Sequence, residues 1–136
     1  MPWALSILLG CADTERSVLT DEGSVCLNST ASGGLRVRSQ FPQCLSSSCD
    51  RSISASCTIN RSGASLTIHS ESVVERQTEG DCTTDCRTVS ATCALESLEA
   101  GEYTVVHGGN EANVQLPANA VVLFADTSAF FAQPCE

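Results

Sequence analysis

Cysteine supplies the densest chemistry in this chain, nine residues in 136. Six of them fall in two matching stretches. The first holds Cys44, Cys49 and Cys57, and the second holds Cys82, Cys86 and Cys93. Each has a close cysteine pair, then an arginine (Arg51 or Arg87), then an alternating segment carrying the third cysteine. Ser52-Ile53-Ser54-Ala55-Ser56-Cys57-Thr58-Ile59 and Thr88-Val89-Ser90-Ala91-Thr92-Cys93-Ala94-Leu95 agree in character at every position. Thiols so spaced bind zinc as thiolates or oxidise to disulfides. No histidine lies near either pair, because His69 and His107 sit on separate segments. A reducing cytosol tolerates this many cysteines only as metal ligands, so the choice turns on compartment.

The N-terminus bears on that choice. Residues 2–10 read Pro-Trp-Ala-Leu-Ser-Ile-Leu-Leu-Gly, ahead of Cys11. This run is too short to cross a bilayer, which takes about 20 residues, and has the length of a signal-peptide core. Its end, Leu8-Leu9-Gly10-Cys11, resembles the lipobox of bacterial lipoproteins: an apolar residue, a tolerant position, a small residue, then cysteine. The resemblance implies that residues 1–10 are a signal peptide and that Cys11 becomes the first mature residue, lipidated on its sulfur and amino group. Residues 11–24 are then a lipidated cysteine with a flexible polar tether carrying Asp13, Glu15, Arg16, Asp21 and Glu22. No Lys or Arg precedes the apolar run, which places the true start upstream of Met1 or makes the signal an unusual one. Ala12 stands where an aspartate retains such lipoproteins at the inner membrane, so the resemblance implies the outer membrane. Taken whole, the chain resembles the uncharacterised cysteine-rich lipoproteins of bacteria, a likeness that brings no activity with it.

With Cys11 set aside, Cys26, Cys44, Cys49, Cys57, Cys82, Cys86, Cys93 and Cys135 form an even set that can pair completely. Translocation exposes them to oxidising conditions, which favours disulfides over zinc. One scheme closes Cys44–Cys49 and Cys82–Cys86 as local loops, joins Cys57 to Cys93 in the core, and ties the ends through Cys26–Cys135. A rival pairs Cys49 with Cys57 and Cys86 with Cys93.

Other reactive residues are sparse. His107-Gly108-Gly109 resembles the oxyanion loop of esterases but lacks the third glycine and any Gly-x-Ser-x-Gly elbow, and reads better as a hairpin tip. His69 ends a strand at the surface. Glu75, Glu79, Asp81 and Asp85 offer carboxylates to calcium without EF-hand spacing, so a solvated loop is expected. Asn28-Ser29-Thr30 and Asn60-Arg61-Ser62 are N-glycosylation sequons, read as chance matches in a serine-rich chain. No catalytic residue, metal or cofactor is assigned. The net charge of −9 argues against nucleic acid and against electrostatic docking on anionic lipid. The expected membrane contact is the lipid at Cys11.

Alternating segments must position these groups. Ile53, Ala55, Cys57 and Ile59 share one face, and Val89, Ala91, Cys93 and Leu95 repeat the pattern. Further strands are expected at Val25–Leu27, Leu35–Arg38, Ala64–Ile68, Glu102–His107, Ala112–Leu116 and a well-buried Val121–Phe124. Asp126-Thr127-Ser128 can cap one helical turn carrying Phe130 and Phe131. The expectation for residues 25–136 is one all-β domain, a disulfide-stapled antiparallel β-sandwich of about seven or eight short strands. Leu98-Glu99-Ala100-Gly101-Glu102-Tyr103-Thr104-Val105 resembles the closing hairpin of immunoglobulin-like bacterial surface domains. The immunoglobulin Cys…Trp…Cys pattern is absent. A non-enzymatic binding or structural module of the bacterial envelope, with an unknown partner, is the leading functional expectation. The alternatives are a hydrolase inhibitor presenting Leu45 on a Cys44–Cys49 loop, and an enzyme using His69 or His107.

Overall fold

The computed structural model describes residues 13–125. Cys11, Cys135, the apolar leader and the expected helical turn near Asp126 lie outside the described residues. Among the described residues every regular element is a strand, as serine, threonine and β-branched alternation favours. In order they are β1 (Thr14–Thr20), β2 (Ser24–Ser29), β3 (Leu35–Leu45), β4 (Asp50–Ser62), β5 (Ser65–Gln77), β6 (Arg87–Leu95), β7 (Gly101–His107), β8 (Asn110–Leu116) and β9 (Val121–Leu123).

Two sheets pack as a sandwich, as expected. The first runs β9-β2-β3-β6 and is antiparallel throughout. The second is organised on β5, whose whole length pairs with β4. On its other edge β5 pairs antiparallel with β1 and, nearer its start, parallel with β7, which carries β8. The parallel pair, Ser65↔Thr104 through Ile68↔His107, departs from the all-antiparallel expectation.

Period-two burial fills the space between the sheets. Leu35, Val37, Ser39 and Phe41 point inward from β3, and Leu66, Ile68, Ser70, Ser72 and Val74 from β5. The apolar members form two clusters. The larger joins Val25, Leu27, Leu35 and Val37 to Leu66, Ile68, Tyr103, Val105, Val114 and Leu116. The smaller holds Phe41, Leu45, Val74, Val89 and Ala91. Along both strands buried serines separate the clusters.

Three expectations need correcting. Residues 14–20, expected as tether, form edge strand β1, paired with residues 71–77. Most of their side chains are polar because solvent covers them, not because the chain lacks structure there. Ile53, expected inward, is 40% exposed. A bulge between Ser52 and Ser54 turns it out while Ala55, Cys57 and Ile59 stay half-buried inward. The last strand is a short edge flanked by β2 alone, so Val122 is 41% exposed rather than well buried.

The disulfides follow neither expected scheme as a whole. Cys57 joins Cys93, but Cys44 joins Cys86 and Cys49 joins Cys82. The local loops Cys44–Cys49 and Cys82–Cys86 do not form, nor do Cys49–Cys57 and Cys86–Cys93. The reason is topological. β4 is a free edge of the second sheet and β6 a free edge of the first. The two cysteine stretches therefore run beside each other, and every described bridge crosses from one stretch to the other. Cα separations of 4.7, 5.5 and 5.5 Å suit disulfides. Cys26 is also disulfide-bonded.

An ion pair with a buried carboxylate and a half-exposed guanidinium stands beside this seam. The Asp50 carboxylate is 2% exposed and accepts Arg76 Nε at 2.6 Å and Nη2 at 2.8 Å. It also accepts the Ser46 amide at 2.6 Å, and the Asp50 amide returns to Ser46 O at 2.9 Å. The Arg76 bonds hold its pKa below the ordinary carboxylate value, although burial opposes them. A depressed carboxylate pKa contributes stability that is present above the unfolded value and lost as pH falls through the folded one. Asp50→Asn should therefore cost about 2 kcal/mol near neutrality. In chemical denaturation the gap to wild type should close at acid pH. The paired change Cys57→Ala with Cys93→Ala removes a bridge between residues 36 apart in sequence, a separation that the two remaining bridges shorten. By the chain-entropy relation it should cost about 3–4 kcal/mol, read as a lower denaturation midpoint.

Candidate functional site

Two short loops meet at the head of the seam. One follows Leu45 and the other precedes Arg87. Ser46 Oγ lies 2.8 Å from Thr83 Oγ1, the Thr83 amide donates to Ser48 Oγ at 2.9 Å, and the Ser47 amide donates to Asp85 Oδ1 at 3.2 Å. The Thr83 hydroxyl also donates to the Asp85 carboxylate. The Thr83 and Ser47 donors together hold the Asp85 pKa down to about 2. Asp85 is thus a fixed negative charge on a hydroxyl-lined knuckle closed by Cys49–Cys82 and Cys44–Cys86. Ser47 and Ser48 are exposed. Leu45, expected as the presented residue of an inhibitor loop, is 5% exposed and belongs to the smaller core cluster. The head has no apolar key to offer a protease pocket.

The acidic run behaves as a charged surface. Glu75 is claimed by Arg51 at 2.8 Å and Arg16 at 3.1 Å, and these bonds lower its pKa. Glu79 lies against Asp13; a hydrogen bond that a carboxyl can donate only when protonated, and then the neighbouring negative charge, raise its pKa. Among the described residues no three His, Cys, Asp or Glu side chains converge to hold a metal ion.

The two histidines lie close to each other, but only one is exposed. His69 stands on β5 with Nδ1 3.5 Å from Asp21 Oδ2. His107 ends β7 and is 1% exposed. Its Nε2 lies 2.9 Å from Ser70 Oγ, its ring stacks on Phe124 at 6.4 Å, and its Nδ1 meets no hydrogen-bond partner. Burial pushes the His107 pKa down, outweighing the nearby Asp21 charge and the Gly23 backbone. Asp21 bonds the Ser70 amide at 2.8 Å, so it orients the serine rather than the imidazole. A hydroxyl is within reach of His107, but both groups are buried between the sheets. The glycine beside it has a structural use. Gly108 turns the β7–β8 hairpin with φ 63°, and a Cβ there would lie 2.7 Å from Asp21 O. The His107-Gly108-Gly109 run is a hairpin tip.

The opposite pole carries the segment from Leu98 to Val105, which the sequence marks as a hairpin and not as a site. There the β2–β3 turn, the 96–101 loop and the end of β8 enclose a cavity of about 220 Å³. Leu98, Leu116, Pro117 and the backbone of Gly33 and Gly34 make its walls, with Ser29 and Thr30 at the side. Leu98 is tied down by its amide donating to Gly33 O at 2.8 Å. Tyr103 OH donates to Glu99 O at 2.7 Å, the backbone tie known as a tyrosine corner in β-sandwiches. The apolar well continues into shallower clefts beside Arg61, Glu99 and Glu102. The sequence signal was a lone leucine among acids facing a Gly-Gly turn, which reads as loop until the turns are brought together.

His107 generates a pH prediction. Its folded pKa lies below its unfolded value near 6.5. The unfolded chain therefore binds more protons, and stability should fall as pH drops below that unfolded value. Thermal melts should show a loss between pH 7 and pH 5 that His107→Gln reduces.

No family model matches the chain, and no curated protein or solved structure matches it either.

Proposed function

We propose that this chain is an exported, lipid-anchored module of the bacterial cell envelope, held at the outer membrane, that binds or braces a partner rather than performing catalysis. The observation that carries this reading is the oxidation state of the cysteines. All seven described cysteines are in disulfides, and six of them form bridges between the two halves of one seam. Such cross-linking belongs to an oxidising compartment. The Leu8-Leu9-Gly10-Cys11 resemblance supplies the route and the anchor. A stapled sandwich whose one hydroxyl–imidazole contact is sealed inside fits presentation better than turnover. The burial of Leu45 counts against the inhibitor alternative.

Cysteine arithmetic makes the anchor testable. Of the nine cysteines in this sequence, Cys11 and Cys135 are the two left to pair with Cys26, because the other six described cysteines are taken. Non-reducing peptide mapping should find Cys26 linked to Cys135 and Cys11 as a lipid-modified first residue. A Cys26–Cys11 peptide removes the anchor. In cells, Cys11→Ser should move the protein from the membrane to the soluble envelope fraction. Retention of that variant in membranes has the same adverse meaning.

A further inference from the structure

The pole around the 96–101 loop joins an apolar well to an acidic rim. The well holds about 220 Å³ and is the most enclosed of the cavities described here. A dry apolar cavity of ~150 Å³ accommodates a benzene ring, so one aromatic or branched side chain fits. Gly33 leaves one side open, with no atom within 4 Å of where a Cβ would stand. The well shares Leu98 and Glu99 with one neighbouring cleft, and Glu99 and Ala100 with another, so the three form one trough around the loop. Glu99 and Glu102 stand along it. Arg61 is the one base lining it among the described residues, and it is already engaged. Its guanidinium lies 5.7 Å from the Tyr103 ring centroid and 3.5 Å from Glu99, whose side chain is 89% exposed. The rim therefore stays negative, on a chain of net charge −9.

We infer that this trough docks an extended segment of a partner protein in which an apolar side chain stands beside a basic one. The apolar group fills the well between Leu98, Leu116 and Pro117. The neighbouring cation meets Glu99 and Glu102. Charge complementarity selects this occupant, since an acidic segment would bring like charge onto an exposed carboxylate pair. The inference rests on the binding-module reading, but the two fail separately. Peptide titration needs neither anchor nor compartment, and cysteine mapping needs no ligand.

The probe is acetyl-Arg-Phe-Arg-amide titrated into the ¹⁵N-labelled full chain and followed by amide chemical shifts. Saturable shifts are expected at residues 33–34 and 98–102. Replacing Phe with Gly should weaken binding by about tenfold, the loss of one buried ring. The double change Glu99→Gln with Glu102→Gln should weaken it about three- to fivefold, with the loss erased by high salt. Ala100→Trp, at the exposed mouth of the well, should abolish binding while distant amides keep their positions. Equal binding of acetyl-Glu-Phe-Glu-amide overturns the charge selection. Equal binding of free benzene and the peptide reduces the site to a small-molecule well. Shifts that appear on concentrating the protein alone assign the trough to a second copy. Absence of shifts at millimolar peptide removes the site.

Discussion

The covalent seam between β4 and β6 is the constraint from which the rest follows. Each strand is the exposed margin of its own sheet, and such margins invite unwanted pairing. Here they face each other and are joined by Cys57–Cys93, with two further bridges at the head. The Asp50–Arg76 pair ties β4 to β5 at the same end, so the sheets, the head loops and the central strand share one fixed corner. Aromatic residues make up only 4% of the chain. The interior is built largely from Val, Leu and Ile, and cross-links supply what a modest core does not.

That core is divided. Ser39, Ser70, Ser72 and His107 interrupt it between the larger and smaller apolar clusters. Such groups are costly to bury unless hydrogen-bonded, and Asp21, Ser70 and Gln43 meet part of that need. Asp21 itself sits at φ 54°, in the turn that carries the chain from one sheet to the other. The polar layer thus lies where β1 hands over to β2. It fixes register, because a slip by one residue would drive serines outward and charges inward.

Much of this was legible in the residues. The alternation at Val89, Ala91, Cys93 and Leu95, and at Leu66 and Ile68, named inward faces that are inward. The hairpins at Gly63 and Gly108 announced themselves by turn residues. The repeated cysteine stretches correctly marked a scaffold, and the pairing of Cys57 with Cys93 follows from their matching faces, although the bridge is half-buried at the sheet margins rather than set in the core. The crossed pairing at the head did not follow, because it depends on which strands are sheet edges, and periodicity along one strand is silent about its neighbours. β1 was hidden for a related reason. An edge strand exposed on most of its surface reads as a polar linker, and its backbone pairing with β5 leaves no trace in side-chain pattern. The well at the far pole depends on three turns converging, which no local window contains.

The order of the cross-links has a mechanical meaning. Cys44 and Cys86 are 42 residues apart in sequence yet covalently adjacent. A pull applied between β3 and β6 passes across that bond and bypasses the intervening strands. On the order of 140 Å of contour length is thereby withheld from extension. β4, β5 and the loops between them would keep their shape under such a load. A module built this way bears tension through sulfur.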